Sequence, residues 1–186
     1  ASNTGGLTFQ NNGTMILAGD NTYSGVTTIG GGITLQIGNG GTSGTLGNGN
    51  VNLAGDTLTF DRSDNVTVSD TIVAGSGTVK QIGTGTLTLT GANAYTGTTI
   101  LQAGTLNVGS ATALGTSNLT FTGGTLQYSA ANSVDYSSRI VNSSSAIIID
   151  TNGQNVTYAS AIAASNSGGL IKNGAAVSAI PTTVTM

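Results

Sequence analysis

The sequence predicts an all-β solenoid of roughly eight stacked coils with little or no α-helix. Three observations predict it: an internal repeat, short runs in which apolar and polar residues alternate, and clusters of glycine and asparagine between those runs. A repeat indicates a chain built from similar structural units, and alternation with a period of two is typical of strands that bury one face. The 186 residues are therefore predicted to form a single stack.

The internal repeat is the first of these observations. The segment Gly13–Gly25 (GTMILAGDNTYSG) is echoed further along the chain by Gly85–Gly97 (GTLTLTGANAYTG). The match resumes after one extra residue in the first copy, so the two copies extend over residues 5–38 and 77–109. A chain with self-similarity at this scale is predicted to stack supersecondary units on one another.

A third copy begins near residues 164–176, where Ala164–Leu170 nearly duplicates Ala1–Leu7. Residues 177–186 do not continue the repeat and contain the only proline of the chain. They are predicted to be a divergent tail or a cap. The whole chain, 1–186, is thus read as one solenoid segment with this tail.

Short alternating runs predict the strands, and glycine-rich clusters predict the corners between them. Thr57–Phe60 and Thr125–Tyr128 alternate with a period of two, whereas Gly38–Gly41 and Gly47–Asn50 supply the positive φ that tight corners need. No window sustains helical spacing of apolar residues. With about 20 to 25 residues in each coil, Leu, Ile, Val and Phe would fill a narrow central column. A sandwich of hairpins is the alternative for such short strands.

The low charge of the chain limits the partners that it can bind. Charged residues make up 6% of the chain and the net charge is −3, with four basic residues in all. This is too little positive charge to neutralise a run of phosphates, so nucleic acid is excluded as a partner. The longest aliphatic run, Ala146–Ile149, is far below the roughly 20 residues of a spanning helix, so no membrane insertion of this segment is predicted.

The second copy carries the residues of a known repeat. Gly83–Ile100 (GTGTLTLTGANAYTGTTI), followed by Ala103–Leu106 (AGTL), closely resembles the passenger-associated transport repeat of bacterial autotransporter passengers. Gly13–Gly38 resembles the same motif, with Met15 and Ile16 in place of the usual Leu-Thr. The resemblance covers most of the chain.

This resemblance implies a right-handed parallel β-helix that type V secretion carries outside a Gram-negative cell. It implies an extracellular location, either secreted or attached to the outer membrane through a carboxy-terminal β-barrel that this sequence lacks. The repeat is a scaffold of adhesins and autoaggregation factors, and the family assigns it no catalytic residues.

The residue types present argue against an enzyme. The chain has no His, Cys or Glu, which removes the usual participants in acid–base catalysis, catalytic triads and transition-metal sites. Asp61, Asp64 and Asp70 lie close in sequence with Arg62 among them, but their spacing matches no calcium-binding loop, and they are predicted to cap solvated turns. No catalytic, cofactor-binding or metal-binding residue and no cofactor is predicted.

Two further patterns have a structural and a functional interpretation. Gly75–Lys80 (GSGTVK) resembles a phosphate-binding loop but lacks the Gly-Lys-Ser/Thr ending and a following helix, so it is predicted to form a coil corner. Tyr23 and Tyr95 occupy equivalent repeat positions, where exposed rings could stack on sugars, but packing is the favoured role.

Threonines and corner residues also have two interpretations. Thr86, Thr88 and Thr90 alternate along one face, as in the flat arrays of ice-binding solenoids, but a solvated strand face with high β-propensity is favoured. Asn and Ser are expected to stack in ladders at equivalent corners, where they would satisfy polar groups of neighbouring coils.

The sequence therefore predicts a non-catalytic structural or adhesive shaft outside a bacterial cell. The alternative is a fibre unit that stacks end to end through uncapped coils, whose strand edges are free to pair. A carbohydrate-active β-helix enzyme is the less favoured third hypothesis. The predicted partners are a second copy or neighbouring passenger segments, with a host or cell-surface ligand as a further candidate.

Overall fold

The computed structural model describes residues 3–73 and 75–175 and the backbone of 178–179. Its strands, numbered in chain order, pair in parallel and form three long sheets. Sheet I contains β1 (Leu7–Phe9), β3 (Thr27–Ile29), β5 (Val51–Asn52) and β8 (Ile72–Val73), in that order.

Sheets II and III each contain six strands. Sheet II consists of β2 (Gly13–Leu17), β4 (Ile33–Ile37), β6 (Thr57–Phe60), β9 (Thr78–Gln81), β11 (Thr98–Leu101) and β13 (Asn118–Phe121). Sheet III consists of β7 (Val66–Val68), β10 (Thr86–Leu89), β12 (Thr105–Val108), β14 (Thr125–Gln127), β15 (Ile147–Asp150) and β17 (Leu170–Asn173). A small sheet pairs β16 (Val156–Thr157) with β18 (Ser178–Ala179).

The strands stack as successive turns of a solenoid. Leu7 pairs with Thr27, and Thr27 pairs in turn with Val51, so each turn brings the chain back to the same side one layer further along. The stack has about eight turns, so the predicted all-β solenoid is confirmed. Its helical content is a single 3-10 turn, Ser137–Arg139, within the described residues.

Inward-facing side chains form the predicted central column. In sheet II, Leu35, Leu58, Val79, Thr99 and Leu119 occupy one register position in five successive strands, and none is more than 1% exposed. Burying a side chain of the size of Leu or Val stabilises the fold by about 1.5–3 kcal/mol. The stack is therefore held together by a continuous apolar column with isolated polar residues in it.

The third side of the solenoid changes along the chain. Before β5, residues 18–26 and 38–50 cross the side of sheet III without forming strands. After β8, residues 90–97 and 109–117 cross the side of sheet I in the same way. Two successive turns, β5–β6–β7 and β8–β9–β10, have strands on all three sides, so sheet III begins at β7 just before sheet I ends at β8.

The two repeat copies consequently lie on different sides. The strands of the first copy, β1 to β4, belong to sheets I and II, whereas those of the second, β9 to β12, belong to sheets II and III. The predicted third copy includes Leu170, the first residue of β17 in sheet III. Apart from the backbone of β18, the predicted tail 177–186 lies outside the described residues.

Candidate functional site at the junction of sheets I and III

The tyrosine of each repeat copy points into the core. The Tyr23 hydroxyl lies 2.6 Å from Thr27 Oγ1, and the Tyr95 hydroxyl lies 2.7 Å from Thr99 Oγ1. Tyr23 is 5% exposed, and Tyr95 is fully buried. Neither ring is available to stack on a sugar, which agrees with the packing role predicted for both.

In the second copy this hydrogen bond belongs to a larger polar network. Thr99 Oγ1 lies 2.7 Å from Ser117 Oγ, and the Arg139 guanidinium donates to the carbonyl oxygens of Ser117 and Leu114. Burial raises the pKa of Tyr95 to about 12, so its hydroxyl stays protonated at neutral pH. The three buried hydroxyls thus satisfy one another, and the half-buried Arg139 binds the backbone beside them.

Sheet I ends at a buried asparagine. Asn93 Oδ1 accepts the backbone N–H of Ile72 at 2.8 Å, and its Nδ2 donates to the Ala113 carbonyl of the following coil at 2.6 Å. The N–H of Ala94 donates to the Ile72 carbonyl at 3.0 Å. Both backbone groups of Ile72 at the last strand edge are thus paired, as buried groups require.

Asn166 bridges coils in the same way, since Oδ1 accepts the Ser143 N–H and Nδ2 donates to the Ile140 carbonyl. The predicted corner ladders therefore take the form of asparagine side chains bonded to neighbouring backbone. A ladder between side chains occurs instead on the outer face of sheet III, where Asn107 Nδ2 donates to Gln127 Oε1 and Gln127 Nε2 donates to Asp150 Oδ2.

Sheet III begins at β7 with a pocket of about 190 Å³. Ile37, Phe60, Leu46, Val66 and Val68 provide its apolar surface. Its polar lining comes from six further residues: Asn21, Thr45, Asn48, Thr67, Ser69 and Asp70. The pocket therefore combines an opening into the core with polar groups along the first edge of a sheet, and we refer to it as the junction pocket.

The wall of the junction pocket opposite β7 is held by Arg62. Arg62 is 7% exposed, and its guanidinium donates to the carbonyl oxygens of Gly44 and Thr42 in the 38–50 segment. It also forms a two-pronged ion pair with Asp64, in which both N···O distances are 2.8 Å. The bond from Arg62 holds the pKa of Asp64 below its ordinary value.

The structure does not gather the three predicted aspartates into one site. Asp64 pairs with Arg62, whereas Asp61 accepts a bond from Gln36 at 3.2 Å. Asp70 lies in the junction pocket, where burial raises its pKa. Within residues 3–73 and 75–175, no three side chains of the types that hold metal ions are grouped for that purpose.

The remaining sequence candidates lie on the solenoid surface. Residues 75–80 bend at Gly75 and Ser76 and then enter β9, and no helix follows them. Thr86 lies in register with Thr105, and Thr105 with Thr125, on the outer face of sheet III. A longer outer column in sheet II contains five threonines: Thr14, Thr34, Thr57, Thr78 and Thr98.

The fold and this interior define a β-solenoid whose repeats specify stacking contacts. The passenger-associated-transport-repeat family model matches residues 7–37 and 79–108, inside the two predicted copies. Two segments of the chain are thus similar to passenger-associated transport repeats, which is consistent with an autotransporter passenger domain that contains such repeats, and the predicted resemblance is confirmed. Neither a curated protein nor a solved structure matches the chain. In the part of the chain that the structure describes, no helix has the length and apolarity needed to cross a membrane.

Sequence reasoning missed the junction pocket altogether. Its residues come from five separate stretches between Asn21 and Asp70, and they meet only because two coils lack a strand on the side of sheet III. The one sequence signal is the unusual length of the segment from Gly38 to Asn50, which separates β4 from β5.

Proposed function

We propose that this chain is a non-catalytic structural shaft within an autotransporter passenger on a bacterial cell surface. The observation that carries the proposal is the inward direction of the repeat residues. Tyr23 and Tyr95 bond inside the core, and the two copies face different sides of the solenoid. A repeat that specified a ligand-binding face would be expected to keep one side, so this repeat specifies coil stacking.

The extracellular location rests on the repeat family, which is associated with passengers that cross the envelope. The non-catalytic role rests on the chemistry of the interior. The hydroxyls of Tyr23 and Tyr95 bond buried threonines, and Arg139 bonds backbone carbonyl oxygens. Asp61 and Asp64 at the junction bond different partners. Such an arrangement supports rigidity along the stack.

Surface labelling of the parent protein on intact cells tests this proposal. This segment has no cysteine, so Gly41→Cys, at a glycine whose added Cβ would meet open space, introduces a single accessible thiol into it. A membrane-impermeant maleimide should label it on intact cells. Leu58→Cys, which is buried, is the matched control and should label only after unfolding. Labelling of Gly41→Cys only after the outer membrane is permeabilised would contradict the surface location.

A different observation supports the fibre hypothesis: apolar side chains of the first and last described coils are exposed to solvent. Met15, Ile16 and Val26 are 44%, 42% and 49% exposed, and Ile171 is 45% exposed. Met15 is the register partner of buried Leu35, so it occupies an inward position that a preceding coil would cover. That coil belongs either to the same passenger or to a second copy.

Electron micrographs of the purified chain at rising concentration separate these two sources of the covering coil. Filaments with an axial repeat of about 4.8 Å would support end-to-end stacking of copies. Met15→Asp should abolish such filaments, whereas Ile16→Asp, at an outward position, should weaken them less. Short monodisperse rods at every concentration would contradict the fibre hypothesis and would be consistent with the shaft hypothesis.

A further inference from the structure

We propose that the junction pocket binds an extended segment of another polypeptide, which joins sheet III as a parallel strand below β7. The segment carries aliphatic side chains at alternate positions and a Lys or Arg at its carboxyl end. This inference goes beyond a shaft, since it gives one turn of the rod a binding site. It rests on the free edge of β7, the apolar surface of the pocket and the position of Asp70.

The free edge of β7 is the first step. The Val68 carbonyl accepts the N–H of Thr90 at 3.0 Å, so the backbone groups of Val68 point towards β10. Because successive residues of a strand point their N–H and C=O groups to opposite sides, those of Thr67 point into the junction pocket. Among residues 3–73 and 75–175, no strand pairs with β7 on that side.

The apolar surface of the pocket is the second step. On its paired edge, β7 faces β10, which places Leu87 beside Val66 and Leu89 beside Val68. A strand added on the free edge in the same register would direct its own alternate side chains towards the core. There they would meet Ile37 and Phe60, which line the pocket from inside. Aliphatic residues at alternate positions therefore complement this surface.

The charge at one end of the pocket gives the third step. Asp70 follows β7 by two residues and lines the pocket, and no salt bridge to it occurs in the described part of the chain. A strand added in parallel ends at the same end of the sheet as β7. Its last residue would therefore lie near the Asp70 carboxylate, where a cation is favoured.

The free edge also favours a peptide over a saccharide. A sugar would use the side chains of Asn48, Ser69 and Asp70 but would leave the spaced N–H and C=O groups of Thr67 unmatched. An extended backbone pairs with both of them at the normal spacing of a sheet. The pocket lies where sheet III would have its next strand, between β7 and residues 45–48.

The test uses the whole chain and a synthetic peptide, acetyl-Gly-Thr-Leu-Thr-Leu-Lys-amide. The first five residues of the peptide copy Gly85–Leu89, which is β10 with the glycine that precedes it. We expect amide resonances of Thr67 and Ser69 to shift on titration and the Thr67 N–H to become protected from exchange. Replacing the terminal Lys by Glu in the peptide should weaken binding to the wild type at least tenfold. The Asp70→Asn variant should bind the Lys and Glu peptides equally well.

The matched variants act on the edge donor itself. Thr67→Pro removes the backbone N–H but is compatible with an edge strand, and it should weaken binding at least tenfold. Thr67→Ser keeps the N–H and should bind like the wild type. Continued protection of the Thr90 N–H, which donates to the Val68 carbonyl, would establish that Thr67→Pro retains the pairing of β7 with β10.

Three results would overturn the proposal. One is equal binding by Thr67→Pro and the wild type, because the edge donor would then play no part. The second is the absence of any shift at millimolar peptide, together with shifts of the same amides by glucose, galactose or mannose, which would make the pocket a saccharide site. The third is a concentration-dependent shift of these amides without peptide, which would identify a second copy as the occupant.

Discussion

Sheet I and sheet III overlap in two turns of the solenoid, but their ends are closed differently. At the end of sheet I, Asn93 and Ala94 pair both backbone groups of Ile72. At the start of sheet III, the 38–50 segment lies below β7 and is held by Arg62, yet it leaves the junction pocket between them. The same event, loss of a strand on one side, therefore produces a sealed edge in one place and an open edge in the other.

The two edges differ because the neighbouring coil supplies different hydrogen-bond partners to the same repeat residue. Asn21 is the sequence equivalent of Asn93, but its Nδ2 donates to the carbonyls of Thr45 and Gly19, in non-strand segments. Asn93 instead lies against β8 and completes a strand edge. A repeat residue can thus keep its local conformation while its structural task changes with its side of the solenoid.

Gly85 packs directly on the backbone of the coil below it whereas Gly41 does not, and alanine substitution of the two is expected to give the largest contrast in stability. A Cβ at Gly85 would overlap the carbonyl oxygen of Asp64, whereas one at Gly41 would meet open space. We expect Gly85→Ala to lower the free energy of unfolding by about 3 kcal/mol, since overpacking against backbone cannot relax. Gly41→Ala should change it by no more than about 0.5 kcal/mol. Urea titration of both variants measures the difference, and equal midpoints would contradict it.

The sealed end of sheet I should fail when Asn93 is truncated. Asn93→Ala leaves the Ile72 N–H and the Ala113 carbonyl without their partner inside the core. We expect a loss of about 2–3 kcal/mol, and exchange of the Ile72 amide should accelerate. Asn21→Ala is the matched variant and should cost about 1 kcal/mol, because Asn21 is only half-buried. Similar exchange at Ile72 in both variants would refute the sealing role of Asn93.

The tyrosines sharpen the comparison between the two repeat copies. Tyr23→Phe removes the side-chain partner of buried Thr27, whereas after Tyr95→Phe the Thr99 hydroxyl still bonds Ser117. We expect losses of about 1.5 kcal/mol for Tyr23→Phe and about 0.5–1 kcal/mol for Tyr95→Phe. Thermal and urea unfolding of the two single variants give the ranking. The reverse order would mean that Thr27 finds another partner.

Acid should loosen the wall of the junction pocket before it affects the sealed end of sheet I. The bond from Arg62 lowers the pKa of Asp64 in the folded state. The ionised Asp64 therefore stabilises the folded state at pH values above its ordinary pKa of about 3.9, and this stabilisation is lost as the pH falls through the lowered pKa. Protection of the Thr42 and Gly44 amides, relative to free amides at the same pH, should therefore fall below about pH 4, while that of Ile72 stays constant. Asp64→Asn should remove this acid step. A step of equal size in that variant would exclude Asp64 as its origin.

Asp70 should respond in the opposite direction. Burial raises its pKa, so the folded state binds a proton more tightly than the unfolded chain, and this group lowers stability as the pH rises through the ordinary value. Asp70→Asn is expected to be slightly more stable than the wild type at pH 7 and equal to it well below the ordinary pKa of about 3.9. Lower stability of the variant at pH 7 would contradict this sign.

Most of the fold was predictable from the sequence, and the junction pocket was not. The alternation in Thr57–Phe60 and the glycines at Gly38–Gly41 predict a strand and a corner through local conformation alone. Tyr23 and Tyr95 were expected to pack, and they do. The roles of Arg62 and Asp70 depend on which coil lies below β7, and no short-range pattern specifies this neighbour.

By itself, the sequence determined the strands, their inward faces, the repeat and the approximate number of turns, because alternation and turn residues act over a few positions. Only the tertiary structure decided which side of the solenoid each strand occupies. The path from Gly13 to its repeat equivalent Gly85 is not a whole number of turns, since it leads from the start of β2 in sheet II to the residue before β10 in sheet III. That rotation accumulates from the lengths of all intervening turns, and it left one sheet edge sealed and the other open.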